Sequence, residues 1–592
     1  MISVFCKSQS TAISCTLAIL VAVVPGSAIT LAQVPQAQKP AQQPARPGAT
    51  QNPNSQIDTS VITQPLQASP PVGPERTGVI LSQIDNLTLQ DAIRLALLNN
   101  LTIEQFRQGV QMAQYALFSS RGVYDVTSTA NINFNNSTQP NPEPPNLSGT
   151  SGETLTTKTM TYNFTTGQPF EPTGGTWAVN FSNGITWSNS SVNEFNPYYT
   201  PTLTLTVTQP LMKNLSIDAN RHNIQVAKEA LTLSDSQFRQ NVIQIINAVQ
   251  DAYWELVFAI RNENIARNTY DLTYKQLQDN KKQVEAGTLA PLDLRQTEAQ
   301  LEQNKGTIIA AKQTVTSDEN GLKQLMLKNP VDKMWNSVIK PTDEPQFDVP
   351  TFSVDESIAL ALQNRPELEQ IRLQALKNQI DINYFKNQLK PQLDFQGQYG
   401  TTGLAGTVIP QNLEGAVVPG EFNGGYLASL KQVFSQDFRT VQVGVVSSYP
   451  WRNRTARGLY QQALATARQT DANERQQIET IEVSVRNALQ AVDATRESYE
   501  AAVAGKKAAL AQYVGEKEKF NAGLSTTYLV LQQETAYANA EATEIRALTS
   551  YNEALANFQL ATGTTLISNN VEIPTASQPT QNGGQPPPAQ GP

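Results

Sequence analysis

The chain has 592 residues, and its 43 basic against 51 acidic residues leave a formal net charge of −8. This balance argues against a nucleic-acid-binding protein, which needs a basic surface to displace the counterions of phosphates. His222 is the one histidine, and both cysteines, Cys6 and Cys15, lie in the first 15 residues. A Ser-His-Asp triad, a multi-histidine metal site and a cysteine-based zinc site are therefore not expected. The composition predicts a protein that is not an enzyme and has no cofactor or metal.

Both ends of the chain differ in composition from its middle. Lys7 precedes an apolar stretch at residues 12–24 that is followed by small residues. Thirteen residues are fewer than the roughly 20 of a membrane-spanning helix, so residues 1–32 are predicted to be an export signal peptide, with a membrane anchor as the alternative. Residues 33–86 and 574–592 are rich in Pro and Gln and poor in bulky apolar residues. They are predicted to be a disordered linker and a disordered tail.

Between these ends the sequence contains an internal repeat. Residues 87–99 recur as residues 352–364, and in the same order Pro210 matches Pro450, while Ala286-Gly287 matches Ala522-Gly523. Three matches in one order predict two tandem copies of one unit, at residues 87–350 and 351–573. The first copy is longer, mainly in the region 135–200, and its residues 329–350 are predicted to be an equatorial connector between the copies.

Each copy is predicted to fold as helix, strand, strand, long helix, helix. Thr88 and Ser353 are candidate N-caps, each with an acidic residue three positions later. The predicted helices are 88–121, 216–286 and 290–328 in the first copy, and 353–388, 455–522 and 526–562 in the second. In each copy the two shorter helices together equal the long one, about 105 Å at 1.5 Å per residue. They are therefore expected to stack end to end along it, the alternative being an ordinary globular bundle.

The predicted strands alternate strictly between apolar and uncharged polar residues. In Thr202–Thr208 every second residue is Thr, and Val441, Val443 and Val445 alternate with Gln442 and Gly444. Such strands suit either a membrane barrel with a wet lumen or a soluble sheet on a core; the export signal and the uncharged polar faces favour the barrel. Four main strands are fewer than the roughly eight of the smallest barrels, so several chains must share one. A further strand between Trp177 and Trp187 is predicted to belong to an extra hairpin with Tyr162 and Phe164.

These features together resemble the TolC family of outer-membrane efflux proteins over roughly residues 85–573. The resemblance rests on the duplicated plan, the opening that begins at Leu87, the strand exit Gln209-Pro210-Leu211, the turn from Gly287 to Leu294 and the closing run from Ala554 to Gly563. The long Pro/Gln segment is similar to that of cyanobacterial members. The resemblance implies an α+β membrane protein: a homotrimer with a 12-stranded outer-membrane β-barrel that a periplasmic α-helical coiled-coil barrel continues.

The resemblance also implies a function and partners. It implies an exit duct of tripartite efflux pumps and type I secretion that conducts substrates passively from the periplasm to the exterior. A periplasmic adaptor (membrane fusion) protein and an inner-membrane transporter of the ABC or resistance-nodulation-division type are the implied partners, with outer-membrane lipid around the barrel. A periplasmic adaptor or coiled-coil scaffold without a membrane barrel is the alternative function.

The implied working parts lie at the two turns between the long and the last helix of each copy. The candidate adaptor-docking residues are Gly287, Thr288, Leu289, Gly523, Leu524 and Ser525, which could equally be plain turns that need a left-handed glycine. The candidate residues of a periplasmic aperture are Asp293, Glu298, Leu529, Gln532 and Glu534. The family's aspartates in the second-copy turn are replaced here by Leu529 and Gln532, so that acidic ring is predicted to be absent. In a trimer each remaining acid would occur three times, where mutual repulsion would raise its pKa and attract cations, unless it is a solvated charge at a helix end.

Overall fold

A computed structural model describes residues 73, 75–76, 78–140, 154–190, 193–348, 352–409 and 418–573. The predicted signal peptide, the C-terminal tail and most of the linker (33–72) lie outside the described residues. Within these ranges, no helix has an apolar stretch of the length that a membrane crossing requires.

Ten α-helices occur in the described parts of the chain. Two of them are very long, with 67 and 68 residues, or about 100 Å each. In chain order they are α1 (Leu89–Asn99), α2 (Leu101–Arg121), α3 (Ala219–Glu285), α4 (Pro291–Met326), α5 (Val354–Asn364), α6 (Pro366–Gln388), α7 (Tyr426–Ser435), α8 (Arg454–Asn521), α9 (Thr527–Thr562) and α10 (Thr565–Ser568). The long helices α3 and α8 thus occupy matching places in the two halves.

The two predicted first helices, 88–121 and 353–388, are each broken into two, which corrects the prediction of continuous helices. Asn100 has an extended backbone, and its side-chain oxygen accepts hydrogen bonds from the amides of Thr102 and Ile103, so it caps a new helix. Arg365 precedes Pro366, and a residue before proline is disfavoured in the helical region. Thr88 is the predicted N-cap of α1, whereas Ser353 stands at the N-cap position of α5 without a side-chain capping bond.

Each break lies where the other short helix of the same half ends. The Asn100 side-chain amide donates to the carbonyl oxygen of Leu325, in the last turn of α4, at 2.9 Å. In the second half Gly563 ends α9 with φ of 71°, and a Cβ there would lie 3.0 Å from Asn364 beside the other break. The long helix α3 packs against α1, α2 and α4, and α8 packs against α5, α6 and α9. This is the expected arrangement of two short helices along one long helix.

The main hydrophobic core surrounds the middle of α3. Tyr253 is fully buried there and donates a hydrogen bond to the carbonyl oxygen of Leu87 at 3.1 Å. The same cluster contains buried residues of α1, α3, α4 and the connector, among them Ile93, Val249, Leu256, Leu322, Met326 and Ile339. Strand β1 (Ile84–Leu87) pairs in parallel with the connector strand at residues 338–341, which ties the entry of the first helix to the connector.

A buried charge network lies beside this core. Lys323 of α4 is 0% exposed, and its ammonium group donates to the Glu319 carboxylate at 2.7 Å and to the carbonyl oxygens of Trp335 and Ser337 at 3.0 and 2.6 Å. Arg76 donates to the other oxygen of Glu319 at 2.5 Å. The carboxylate is therefore shared between two cations, and the network fastens the connector to α4.

The described residues also form ten strands, eight of them in one sheet. After β1 they are β2 (Thr127–Pro140), β3 (Thr154–Pro169), β4 (Thr176–Ser188), β5 (Phe195–Tyr199), β6 (Thr202–Pro210), β7 (Val338–Pro341), β8 (Gln392–Thr402), β9 (Ala405–Val408) and β10 (Phe438–Ser448). The main path of the large sheet is β10-β8-β6-β4-β3-β2, with every pair antiparallel, and the short strands β5 and β9 pair beside it. Among the strands that the structure describes, the end strands β2 and β10 have one neighbour each, so the sheet is open.

The predicted number of four main strands is wrong for this chain. The extra hairpin was expected, and it forms β3 and β4, but it lies inside the path of the sheet between β2 and β6. Its strands are 16 and 13 residues long, as long as the other main strands. Alternation identified the strands, but it did not predict which strands pair with each other, and so it did not place the hairpin within the sheet.

Replacing Lys323 with Met should destabilise the protein. The substitution keeps the unbranched shape and most of the side-chain length. It leaves the buried Glu319 carboxylate with one cation and removes the ammonium donor from the carbonyl oxygens of Trp335 and Ser337. Breaking a buried ion pair costs about 3–5 kcal/mol, so the free energy of unfolding in denaturant should fall by that amount. Lys328→Met, at an exposed lysine just beyond α4, is the control and should change the free energy by less than about 0.5 kcal/mol. Equal effects of the two substitutions would contradict the assigned role of the network.

Candidate functional site: the ends of the helical hairpins

The turns α3–α4 and α8–α9 have the same backbone conformation. Gly287 and Gly523 both have φ of 75°. In the first turn the amide of Gly287 donates to Val284 and that of Thr288 to Gln283; in the second, Gly523 donates to Phe520 and Leu524 to Lys519, all at 2.8–3.0 Å. This pairing is the Schellman motif, which needs a left-handed residue. No atom lies within 4 Å of a Cβ built on either glycine, so conformation, not space, requires glycine here.

The residues after these glycines form the exposed tips. Leu524 is 80% exposed, an unusual state for a leucine, and Thr288 is exposed, while Leu289 and Ser525 are half-buried. The Ser525 hydroxyl donates to the carboxylate of Glu516 on α8, and this bond lowers the pKa of Glu516. The predicted docking residues thus lie together at each turn, with an apolar side chain exposed on the second.

Four of the five predicted aperture residues lie at or near the helix surface beside the tips. Asp293 is half-buried in the first turn of α4, where the helix dipole favours a negative charge. The Glu298 carboxylate is paired with Arg295 on the same helix at 2.8 Å. Leu529 and Gln532 are exposed on α9. A local cation therefore accompanies the Glu298 charge.

Glu534, the fifth predicted aperture residue, is buried. Its side chain is in the interior of the chain, 4% exposed, and lies 3.0 Å from the hydroxyl oxygen of Thr273 on α3. Burial raises the pKa of Glu534 to about 7, with smaller opposing effects of the Thr273 hydrogen bond and the Lys517 charge. Within one chain, desolvation is thus the main cause of the raised pKa.

The hydrogen bonds around Glu534 are complete when its carboxyl group is neutral. The Thr273 hydroxyl oxygen accepts from Asn304 of α4 at 2.9 Å and lies 2.9 Å from the carbonyl oxygen of Thr269. A hydroxyl group has one proton to donate and two lone pairs. If that proton goes to Thr269, the second lone pair can accept the O–H of a protonated Glu534. An ionised Glu534 would instead compete with Thr269 for one proton.

A second group of acids occurs at mid-height in the helices, and sequence reasoning missed it. Arg546 of α9 pairs with Glu255 of α3 at 2.6 Å and lies 4.0 Å from Glu553. Burial and the Glu255 charge raise the pKa of Asp251 to about 6 and that of Glu553 to about 7. These residues come from both copies and are separated by some 300 positions, so no local pattern could have found them.

Comparison with known proteins identifies the family. The sequence model of the outer membrane efflux proteins matches residues 178–326 and 357–564, which together are more than half of the chain. The chain belongs to the outer membrane efflux protein family. Proteins of this family are outer-membrane channels and not enzymes, so the efflux protein is a component of transport across the outer membrane that reaches into the periplasm.

Solved channels share the fold of this efflux protein at low identity. The CmeC channel of Campylobacter jejuni is 16% identical with a TM-score of 0.57, over 81% of this chain and 86% of that one. VceC of Vibrio cholerae is 14% identical with a TM-score of 0.56, over 80% and 96%. The open-state MtrE channel of Neisseria gonorrhoeae is 16% identical with a TM-score of 0.53, over 81% and 89%. No curated protein sequence matches the chain.

Glu534→Gln should stabilise the efflux protein at alkaline pH. The unfolded chain releases the Glu534 proton near pH 4.5, whereas the folded chain keeps it until about pH 7. Stability due to this group therefore falls as pH rises from 4.5 to 7, by about 3 kcal/mol at 1.36 kcal/mol per pKa unit. The glutamine variant lacks this loss, so its thermal unfolding temperature should exceed that of the wild type at pH 8 and equal it at pH 4.5.

Glu302→Gln, at an exposed residue of α4, is the control and shows how removal of a surface carboxylate changes the unfolding temperature. Wild-type and Glu534→Gln unfolding temperatures that differ equally at both pH values would mean that Glu534 does not titrate in this range.

Proposed function

We propose that three copies of this efflux protein form a passive exit duct through the outer membrane. The observation that carries the proposal is the two-faced sheet, with one face mainly of Thr, Asn, Gln, Ser and Gly and the other mainly of aliphatic and aromatic residues. Such a sheet separates a wet lumen from lipid. The strands β2, β6, β8 and β10 are each continuous in the chain with the periplasmic helices, so the duct extends beyond the membrane.

The open ends of the sheet support assembly from several copies. A strand edge in a bilayer leaves backbone N–H and C=O groups without partners, at several kcal/mol each, so membrane sheets must close. The end strands β2 and β10 are exposed along nearly their whole length. In a path of six antiparallel strands the two end strands run in opposite directions, so β10 of one copy can pair antiparallel with β2 of the next. Three such contacts close a trimer.

The helices support a periplasmic tunnel in this trimer. Each chain has two long helices and two stacks of short helices of equal length, which makes four columns per chain and twelve per trimer. The duct itself performs no chemistry, and its partners select the cargo.

The hairpin tips are the proposed docking surface for a periplasmic adaptor. Leu524 is an exposed apolar side chain at a turn that the backbone holds rigidly, which suits a contact with another protein. Through the adaptor we propose a link to an inner-membrane transporter of the ABC or resistance-nodulation-division type, which supplies the energy in an efflux pump or in type I secretion.

Conductance of the purified protein tests the duct. In planar lipid bilayers the full-length protein should give stable ion-conducting steps, and it should migrate as a trimer on gels before boiling. A water-soluble monomer that does not conduct would contradict the duct and favour the periplasmic scaffold.

Asp293→Ala tests the aperture. Three Asp293 carboxylates near the axis should favour cations, so the variant should have a lower cation-to-anion permeability ratio and weaker block by multivalent cations, measured from reversal potentials in a salt gradient. Asp471→Ala, at an exposed carboxylate of α8 some 50 residues from the tip, is the control and should conduct like the wild type. Unchanged selectivity in Asp293→Ala would mean that this residue is only a charge at the helix end.

A further inference from the structure

The hairpin β3–β4 is the part of the sheet that the two-copy plan does not require. In the second half the two main strands pair directly, with Gly397 of β8 opposite Val443 of β10. In the first half the corresponding strands β2 and β6 are separated by the hairpin, which pairs with β2 on one side and with β6 on the other. In the first half the family model matches from residue 178, near the start of β4, so its match includes most of β4 but not β3.

The hairpin continues the two faces of the sheet, with Asn183 as a polar residue between Phe181 and Ile185 on the apolar face of β4. Registers across all six strands define an apolar row and, one residue along each strand, a polar row. The first row is Ser128, Thr166, Val179, Leu205, Tyr399 and Val441, which is apolar from β4 to β10. The next row on the same face is Ala130, Phe164, Phe181, Leu203, Thr401 and Arg439, which is apolar from β2 to β6. The polar row between them is Thr129, Thr165, Asn180, Thr204, Gly400 and Thr440. The hairpin therefore has the same two-faced character as the strands that flank it.

Aromatic residues on the hairpin are spaced for a membrane. Trp177 and Trp187 lie on the apolar face of β4, ten residues apart, near its two ends. Ten residues of strand span about 33 Å. With the usual strand tilt of about 40° this corresponds to about 25 Å along the membrane normal. That is the height of the apolar band that aromatic girdles border in outer-membrane barrels.

The foot of the hairpin is built into the start of α3. Arg221 donates to the carbonyl oxygen of Pro172 in the β3–β4 turn at 2.9 Å and is held by Asp218 at 2.9 Å. Gly174 in the same turn has φ of 66°, and a Cβ there would lie 2.5 Å from the Asp218 carboxylate. The Gln209 side chain at the end of β6 donates to the carbonyl oxygen of Thr173 at 3.1 Å. The turn is thus fixed at the level where the wall meets the helices.

We propose that the hairpin β3–β4 is part of the barrel wall, so that each chain supplies six wall strands and the trimer 18, with β10 of each copy paired with β2 of the next. The inference rests on the proposed trimeric duct and changes its dimensions. At equal tilt the diameter grows roughly in proportion to the number of strands, so an 18-stranded barrel is about 1.5 times as wide as a 12-stranded one. The helices still supply twelve columns, so the inference changes the width of the barrel alone.

Single-cysteine labelling in the assembled full-length protein tests the position of the hairpin. Both natural cysteines precede residue 16, within the predicted signal peptide, so each variant can carry one thiol. Thr165→Cys on β3 should react with a charged, water-soluble thiol reagent and lose conductance on reaction. Phe164→Cys should resist that reagent and react with a lipid-soluble maleimide. Thr204→Cys and Leu205→Cys on β6 are the matched controls for the lumen and the lipid face.

The inference predicts that Thr165 behaves like Thr204, and Phe164 like Leu205. Equal reaction of both hairpin positions with the water-soluble reagent would overturn it, because the hairpin would then lie in water outside the wall. Electron cryomicroscopy of the same preparation gives the strand count directly: 18 strands support the inference and 12 overturn it. A conducting trimer with 12 strands would refute the inference alone, whereas a protein that forms no conducting oligomer would refute the proposed function.

Discussion

The unpaired backbone along the two ends of one sheet is the constraint on which the rest of this architecture depends. A strand at the edge of a sheet in lipid has no water to satisfy its N–H and C=O groups, so a sheet of six antiparallel strands cannot cross a bilayer alone. The end strands β2 and β10 run in opposite directions and expose apolar side chains such as Ile132 and Val443. In the proposed trimer, closure by further copies gives these backbone groups their partners and places the uncharged polar face around one lumen.

The helices meet a second constraint, which is the matching of lengths. A helix of about 100 Å can be covered by two shorter helices only if these meet end to end and their free backbone groups find partners. Asn100 performs both tasks in the first half, since it caps α2 and also donates to the end of α4. In the second half, Gly563 ends α9 in a left-handed conformation beside Asn364, and Pro366 begins α6 after the break. The joint lies beside the main core and the Lys323 network, so packing and charge pairing are concentrated where the helices are interrupted.

Buried carboxyl groups distinguish this chain from a simple coiled-coil tube. Glu534 and Glu553 have pKa values raised to about 7 by burial between helices of both copies. Desolvation within a single chain is the largest cause of both shifts in pKa. Asp293 and Glu298, nearer the tips, are the acids whose surroundings a trimer would change.

Much of this organisation could be predicted from the sequence. Alternation in β6 and β10, the repeated opening at residues 87 and 352, and the paired glycines at 287 and 523 are local signals, because strand faces, helix starts and left-handed turns are properties of a few neighbouring residues. They sufficed for the order of elements, the family resemblance and the absence of catalytic residues. Pro366 is a local signal for a helix break, although the sequence analysis predicted one continuous helix over residues 353–388.

The tertiary structure alone decided which of these elements are neighbours. Alternation cannot distinguish a hairpin outside a sheet from one inserted between β2 and β6, since both need the same two faces. The sequence predicted Glu534 to be a residue of the periplasmic aperture. Its side chain is buried beside Thr273 and Asn304, which are more than 200 residues away in the chain. The sequence by itself therefore determined the kind of each element and the family of the protein. Pairing and burial, which depend on contacts between distant residues, determined the strand order, the joints between helices and the ionisation of the buried acids.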